Sequence, residues 1–296
     1  MLRVLLIQNP HAGGVRGARR LAAARAALHA GGVSVAEAPC DDPGASERAA
    51  RDAADTGRVD AVFVLGGDGT VRAVASGLRG SAIPLAVLPG GTTNVVAAAL
   101  GVPDDIGNAV AALLAGELRA FDLGLCGDAP FLMQATAGLD ARIMSRVDPR
   151  LKRRFGKGAV VLAAVREWAR YRFPVIEIEV DGRRELATGV AVCNLSEYAG
   201  RFRMTPDGRP DDRQLELLVF RGRRRRDALG FALALAGGRH ADRRDVAIRP
   251  VEEVNLLGPP DTPLQIDGDP WPARYPLRLR LAADRLQLLV PAPPRR

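Results

Sequence analysis

The run Val62-Phe63-Val64-Leu65-Gly66-Gly67-Asp68-Gly69-Thr70-Val71 passes from a wholly apolar strand into a helix through Gly-Gly-Asp-Gly-Thr. A strand without polar alternation is buried on both faces, which confines the surrounding chain to a parallel sheet covered by helices. Glycines lacking Cβ let backbone N–H groups come close to a phosphate, and the N-terminus of the following helix favours the same negative charge. Asp68 adds a carboxylate within reach of a phosphate-bound Mg²⁺. The corner therefore predicts a cradle for a nucleoside triphosphate.

Its neighbours repeat the design. Strands are expected at Leu2–Gln8, Val33–Ala38, Ala61–Leu65 and Pro84–Leu88, and helices at Gly17–Ala30, Ala45–Asp55, Val71–Leu78 and Val95–Leu100. This alternation reads as a parallel sheet with right-handed crossovers, whose ligands bind outside the carboxyl ends of the strands. Glycine-rich corners follow the first, third and fourth strands, at Asn9–Gly14, Gly66–Thr70 and Pro89–Asn94. One such corner is explained by the turn alone. Three on one sheet edge, each with a polar side chain, point to a ligand.

After Asp122 the pattern becomes alternating, with strands expected at Val175–Val180, Ala187–Asn194, Gln214–Phe220, Pro263–Ile266, Leu277–Leu281 and Arg285–Val290. Helices are expected at Gly158–Tyr171 and Asp227–Ala236. Alternation of this kind belongs to antiparallel sheets, and Asp181-Gly182 closes the first arm of a hairpin. The chain of 296 residues thus reads as two domains, 1–122 and 123–296, with the last residues free to pack back on the first.

Composition narrows the function. No stretch approaches the roughly 20 apolar residues that span a bilayer, and Met1–Ile7 is too short for a signal peptide, so a cytoplasmic location is expected. Cys40, Cys126 and Cys193 are odd in number and scattered, which argues against disulfides and zinc and for reduced, buried thiols. The net charge of +8 rests almost wholly on arginine. Its clusters, Lys152-Arg153-Arg154, Arg223–Arg226, Arg239-His240 and Arg243-Arg244, suggest a basic face, either merely solvated or turned to an anionic membrane. Aromatics are not interleaved with these runs, which disfavours nucleic acid.

The three corners, Asn9-Pro10-His11-Ala12-Gly13-Gly14, Gly66-Gly67-Asp68-Gly69-Thr70 and Pro89-Gly90-Gly91-Thr92-Thr93-Asn94, resemble the signatures of the diacylglycerol kinase catalytic domain family. Phe121-Asp122-Leu123-Gly124, Ala137–Ala141, Cys193-Asn194 and Asp267-Gly268-Asp269 extend the resemblance through the chain. It implies an α/β N-terminal domain with a parallel Rossmann-like sheet, as in NAD kinases and phosphofructokinases, and a β-rich antiparallel, sandwich-like C-terminal domain. It also implies transfer of the γ-phosphoryl group of ATP, with Mg²⁺, to a lipid hydroxyl at a membrane surface.

By that resemblance, the backbone of Gly66, Gly67, Asp68, Gly69 and Thr70 and the side chain of Thr92 would cradle the phosphates, Asn94 would belong to the same nucleotide site, and Asn9 would brace the nucleotide. Asp68 would hold the catalytic Mg²⁺, directly or through water, with Asp122 in the same carboxylate and water network, and Asp212 would be a ligand of a separate structural Mg²⁺ in the second domain. Asp269 would accept the hydroxyl proton and Asp267 would orient it, in a cleft between the domains. Three residues depart from the family pattern: Val95 stands where an Asp is common, Asp269 where a Glu is, and Arg213 where a metal loop has Gly. Peripheral association with the inner membrane face and a homodimer through an edge strand are further expectations. An NAD kinase-like enzyme and a nucleotide- or lipid-binding regulator without catalysis are the alternatives.

Overall fold

The computed structural model describes residues 1–9, 14–148, 151, 156–199 and 202–293. Two units emerge, Met1–Phe121 with Ala283–Arg296, and Asp122–Ala282. The expectations on residues 10–13, on Lys152-Arg153-Arg154 and on the last three residues lie outside the described set.

The first unit runs β1 (Arg3–Gln8), α1 (Gly14–Ala30), β2 (Ser34–Pro39), α2 (Pro43–Thr56), β3 (Ala61–Gly66), α3 (Asp68–Gly77), β4 (Leu85–Pro89), α4 (Val95–Ala99), α5 (Ile106–Leu114) and β5 (Glu117–Phe121). The second contains β6 (Gly124–Cys126), β7 (Ala129–Phe131), β8 (Gln134–Gly138), α6 (Leu139–Arg146), α7 (Lys157–Arg170), β9 (Ile176–Val180), β10 (Arg183–Ala187), β11 (Gly189–Cys193), β12 (Glu197–Tyr198), β13 (Phe202–Arg203), β14 (Leu215–Phe220), α8 (Arg225–Ala236), β15 (Val246–Val251), β16 (Glu253–Gly258), β17 (Leu264–Ile266), β18 (Asp269–Trp271) and β19 (Leu277–Leu281). The chain then returns to the first unit as β20 (Leu286–Val290).

The first sheet has the order β2-β1-β3-β4-β20-β5. Every pair is parallel except β20 with β5. Right-handed crossovers in this order put α1 on one face and α2 and α3 on the other, and α2 packs closely on α3. A Cβ on Gly77 would lie 2.3 Å from Glu47 O, so those two helices meet backbone to backbone. Asp42 starts α2 by accepting from Ala45 N–H at 2.8 Å, with Pro43 in the first turn.

One strand joins a different sheet from the one its pattern suggests. Arg285–Val290 alternates like the second-half strands, yet β20 lies between β4 and β5. Alternation shows that one face of a strand is covered but not which sheet covers it. Leu286, Leu288 and Val290 supply the buried face. Arg79 anchors the approach, donating from Nε and Nη2 to the two Asp284 carboxylate oxygens at 3.1 and 3.0 Å.

The second unit holds two antiparallel sheets, β10-β9-β16-β19-β6-β7 and β15-β14-β11-β8-β17-β18. Their inner faces make one core: Ile176, Ile178, Val254, Leu256 and Leu279 from the first sheet, with Val190, Val192, Leu215, Leu217 and Ile266 from the second. The alternate residues Ala191, Cys193, Leu218 and Phe220 face a second cluster with Phe231 and Leu235 of α8. Period-two alternation is thus used on both faces. Cys40, Cys126 and Cys193 are free and buried, and burial pushes the Cys126 thiol up to about 12, which leaves little reactive thiolate.

Leu288 is fully buried on the returning strand. Leu288→Ala is expected to cost about 2–5 kcal/mol by the usual cavity penalty. Urea unfolding followed by circular dichroism checks this, and a loss under about 1 kcal/mol would show β20 to be dispensable.

Candidate active site

Strands β1, β3 and β4 lie side by side, so their carboxyl ends share one sheet edge. Of the first corner, Asn9 is described and half-buried. The second and third corners are in direct contact. Gly90 N–H donates to Gly66 O at 3.0 Å. A Cβ on Gly90 would stand 2.5 Å from Gly66 N, and one on Gly91 would stand 2.6 Å from Gly67 Cα. No side chain fits there. Gly67 differs, because its φ of −86° suits any residue and a Cβ would meet Gly91 Cα at an ordinary 3.5 Å.

Helix α3 begins at Asp68, earlier than the expected Val71, with Gly67 as a cap that has no side chain to offer. Thr70 and Val71 N–H donate to Gly67 O at 2.9 and 3.0 Å, and the N-terminus of α3 ahead of them is the end of the helix that favours negative charge. Asp68 Oδ1 reaches across and accepts from Val96 N–H at 3.2 Å, so its carboxylate bridges the second corner to the start of α4. Asn94 has a left-handed backbone with φ of 49°. Its side chain folds back rather than capping α4: Oδ1 accepts from Gly91 N–H at 2.7 Å and Nδ2 donates to Gly91 O at 3.1 Å. Asn94 therefore shapes the Gly91–Thr93 turn, where Thr92 is exposed.

One cation near this edge escaped the sequence reading. Arg20 on α1 donates from Nη1 to Pro89 O at 2.8 Å, which brings a guanidinium to the base of the third corner. Only the phase of α1 could have signalled it. Val95 is buried and apolar, so Asp68 bridges the two corners without a second acid at that position.

In the second unit, Asp267 and Gly268 form the two-residue turn between β17 and β18, with φ of 51° and 84°. Two left-handed residues in a row are what a tight hairpin requires. The buried Asp267 carboxylate accepts from the backbone N–H groups of Leu132, Met133 and Gln134 at 2.9–3.0 Å. Asp267 thus fastens the turn to the link between β7 and β8. Asp269 follows at the first position of β18, half-buried.

A polar network behind the turn was also missed, though Asp140 lies in the segment Ala137–Ala141 named above as part of the resemblance. Gln265 Oε1 accepts from Gly268 N–H at 2.6 Å, and its Nε2 donates to Thr136 Oγ1 at 2.9 Å and Asp140 Oδ2 at 3.0 Å. Asp140 accepts in turn from the Thr136 and Tyr198 hydroxyls. Burial first, then the Asp140 charge, holds the Tyr198 hydroxyl well above its ordinary range. These bonds lock the turn that carries Asp269.

Asp122 and Asp212 each have partners within the second unit. Asp122 is fully buried and pairs with Arg213, whose Nη1 donates to Oδ1 at 3.0 Å. Asp212 is exposed and accepts from Gln214 N–H at 3.1 Å. Among the described residues, no three His, Cys, Asp or Glu side chains are placed to hold an ion.

Comparison with known proteins agrees with this architecture. Residues 3–126 match the diacylglycerol kinase catalytic domain, and residues 134–290 match the YegS C-terminal NAD kinase beta sandwich-like domain. The chain is 26% identical over 276 residues to the diacylglycerol kinase of Bacillus subtilis (strain 168), covering 91% of this chain and 90% of that one. It is 32% identical over 237 residues to a YegS-like protein of Pseudomonas aeruginosa (strain UCBPP-PA14), provisionally assigned as a lipid kinase, covering 77% and 75%. An uncharacterized Synechocystis protein, sll0036, is matched over only 33% of its length, at 31% identity. In fold, the chain superposes on a diacylglycerol kinase structure from Bacillus anthracis str. Sterne with a TM-score of 0.71, 19% identity and coverage of 97% and 96%.

The chain belongs to the diacylglycerol kinase catalytic domain family, within the lipid-kinase class of phosphotransferases. Membership of a kinase family implies ATP as co-substrate. Among the described residues, no helix is long and apolar enough to cross a membrane.

The two kinds of glycine make separate predictions. Gly90→Ala and Gly91→Ala force backbone apart and are expected to cost about 1–3 kcal/mol, as overpacking does. Gly67→Ala should unfold within about 0.5 kcal/mol of the parent in the same thermal or urea titration. Equal losses at all three positions would contradict the contact between the corners.

Proposed function

We propose that this chain transfers the γ-phosphoryl group of ATP to a hydroxyl of diacylglycerol or a related lipid. The observation that carries the reading is the apposition of Gly66–Gly67 with Gly90–Gly91 at the carboxyl edge of β3 and β4, with Asp68 bridging them. Phosphoryl transfer asks the protein mainly for positioning and charge neutralisation. Backbone N–H groups at Gly66–Thr70 and the Thr92 hydroxyl receive the phosphates, Asn9 braces the nucleotide, and Asn94 holds the Gly91 turn in shape. Arg20 adds positive charge behind Pro89.

Mg²⁺ fits this edge, because it keeps several waters and binds through one or two carboxylates plus phosphate oxygens. Asp68 would hold it, and the ion would neutralise charge on the transferred group. Asp269 accepts the proton of the attacking lipid hydroxyl, and Asp267, Gln265 and Asp140 hold its turn in place.

Two helices of the second unit support peripheral membrane association. Val161, Leu162 and Val165 of α7 and Leu229 and Leu233 of α8 are exposed. Trp168 Nε1 ties the helices together by donating to Arg225 O at 2.9 Å. Exposed Arg166, Arg170 and Arg223–Arg226 accompany these apolar side chains, the pairing that anionic bilayer surfaces select.

The test is transfer of labelled phosphate from ATP into a panel of neutral and sphingoid lipids presented in anionic vesicles. Asp68→Asn is expected to lower kcat by about 10²–10³, the usual cost of removing one electrostatic stabiliser. Gly67→Ala should raise the KM for ATP while leaving stability unchanged. No transfer above the Asp68→Asn background with any acceptor would overturn the proposal.

A further inference from the structure

Asp122 is the first residue of the second unit and Ala282 the last. Within that unit the Asp122 N–H donates to Pro210 O at 2.6 Å and its carbonyl accepts from Asn194 Nδ2 at 2.8 Å. Both carboxylate oxygens meet one residue: Oδ2 accepts from Arg213 N–H at 2.7 Å and Oδ1 from Arg213 Nη1 at 3.0 Å. The same guanidinium donates from Nη2 to Ala282 O at 2.9 Å. Ala282 N–H in turn donates to Leu123 O at 2.8 Å. One arginine therefore fastens the beginning of the unit to its end.

Arg213 does this from an uncomfortable backbone. Its φ of 63° lies in the left-handed region that glycine occupies without penalty and a long side chain does not. A residue persists there when surrounding contacts over-determine it, and the three hydrogen bonds above do so. The burial of Asp122 supplies the motive, since a carboxylate taken fully from water must be paired.

We infer that Arg213 is a built-in counter-ion, which occupies the place a divalent cation would take at Asp122 and makes the second unit independent of metal there. A divalent ion asks for about six oxygens. Asp122 has neither oxygen unengaged by Arg213, and Asp212 turns its Oδ1 to Gln214 N–H. Among the described residues Asn194 Oδ1 is buried without a donor, and it is one neutral oxygen, enough for a water and not for an ion shell. The guanidinium beside the carboxylate would also repel a second cation. The metal role that the family resemblance assigns to Asp122 and Asp212 does not fit these contacts.

The experiment uses the full chain without nucleotide or lipid, so its outcome is separate from that of the proposed kinase activity. Thermal unfolding is followed in EDTA and in millimolar MgCl₂. The wild type is expected to melt at one temperature in both. Arg213→Gly exposes the buried carboxylate and should lose roughly 5 °C in EDTA, part of the loss being offset by relief of the left-handed backbone. It should regain stability in MgCl₂, whereas Arg213→Lys, which keeps the charge, should not respond to Mg²⁺. Should Arg213→Gly fail to fold, electron paramagnetic resonance of Mn²⁺ titrated into the wild type and Asp122→Asn decides. Identical binding by the two supports the inference. A site in the wild type that Asp122→Asn removes overturns it, as does an Arg213→Gly protein that melts with the wild type in EDTA.

Discussion

Everything at the candidate site depends on how closely two turns approach each other. Gly66 and Gly67 at the end of β3 and Gly90 and Gly91 after β4 meet main chain to main chain, joined by the hydrogen bond from Gly90 to Gly66. Adjacent parallel strands deliver their carboxyl ends about 4.7–4.9 Å apart, so turns that leave them in the same direction collide unless side chains are absent. Gly90 and Gly91 first make the paired turns possible. Only then do the turns present backbone N–H groups and a helix N-terminus to one point in space. On the proposed reading, phosphate binding follows from that packing as much as it explains it.

Carboxylates serve as fasteners throughout. Asp68 joins the second corner to α4, Asp122 joins the first residue of its unit to Arg213, and Asp267 gathers three consecutive N–H groups of another segment. Charge-assisted bonds of this kind are about twice as strong as neutral ones and fix orientation. The first duty of these acids is thus structural. Asp269 stands apart, as the acid next to a rigid turn rather than the one that makes it.

Much of this was legible because local rules sufficed. The apolar run before Gly66 meant a doubly covered strand, Asp181-Gly182 meant a hairpin, and β9 and β10 pair across it. The glycine corners after β3 and β4 located that part of the sheet edge without any distance. What stayed hidden depended on non-local pairing. Nothing in Leu286–Val290 says that it joins β4 across some two hundred residues, and nothing near Arg20 says that it reaches Pro89. Arg213 was legible only as a departure from glycine. Its left-handed backbone and its grip on Asp122 needed the fold.

The central claim is that the paired corners are the nucleotide site. The most direct measurement is the amide spectrum of isotopically labelled protein titrated with ATP and Mg²⁺. The account predicts the largest shifts at Gly66–Thr70 and Gly90–Asn94, with the bond partners Gly66 and Gly90 moving together. Saturable binding that leaves those amides unmoved and shifts others instead would contradict it.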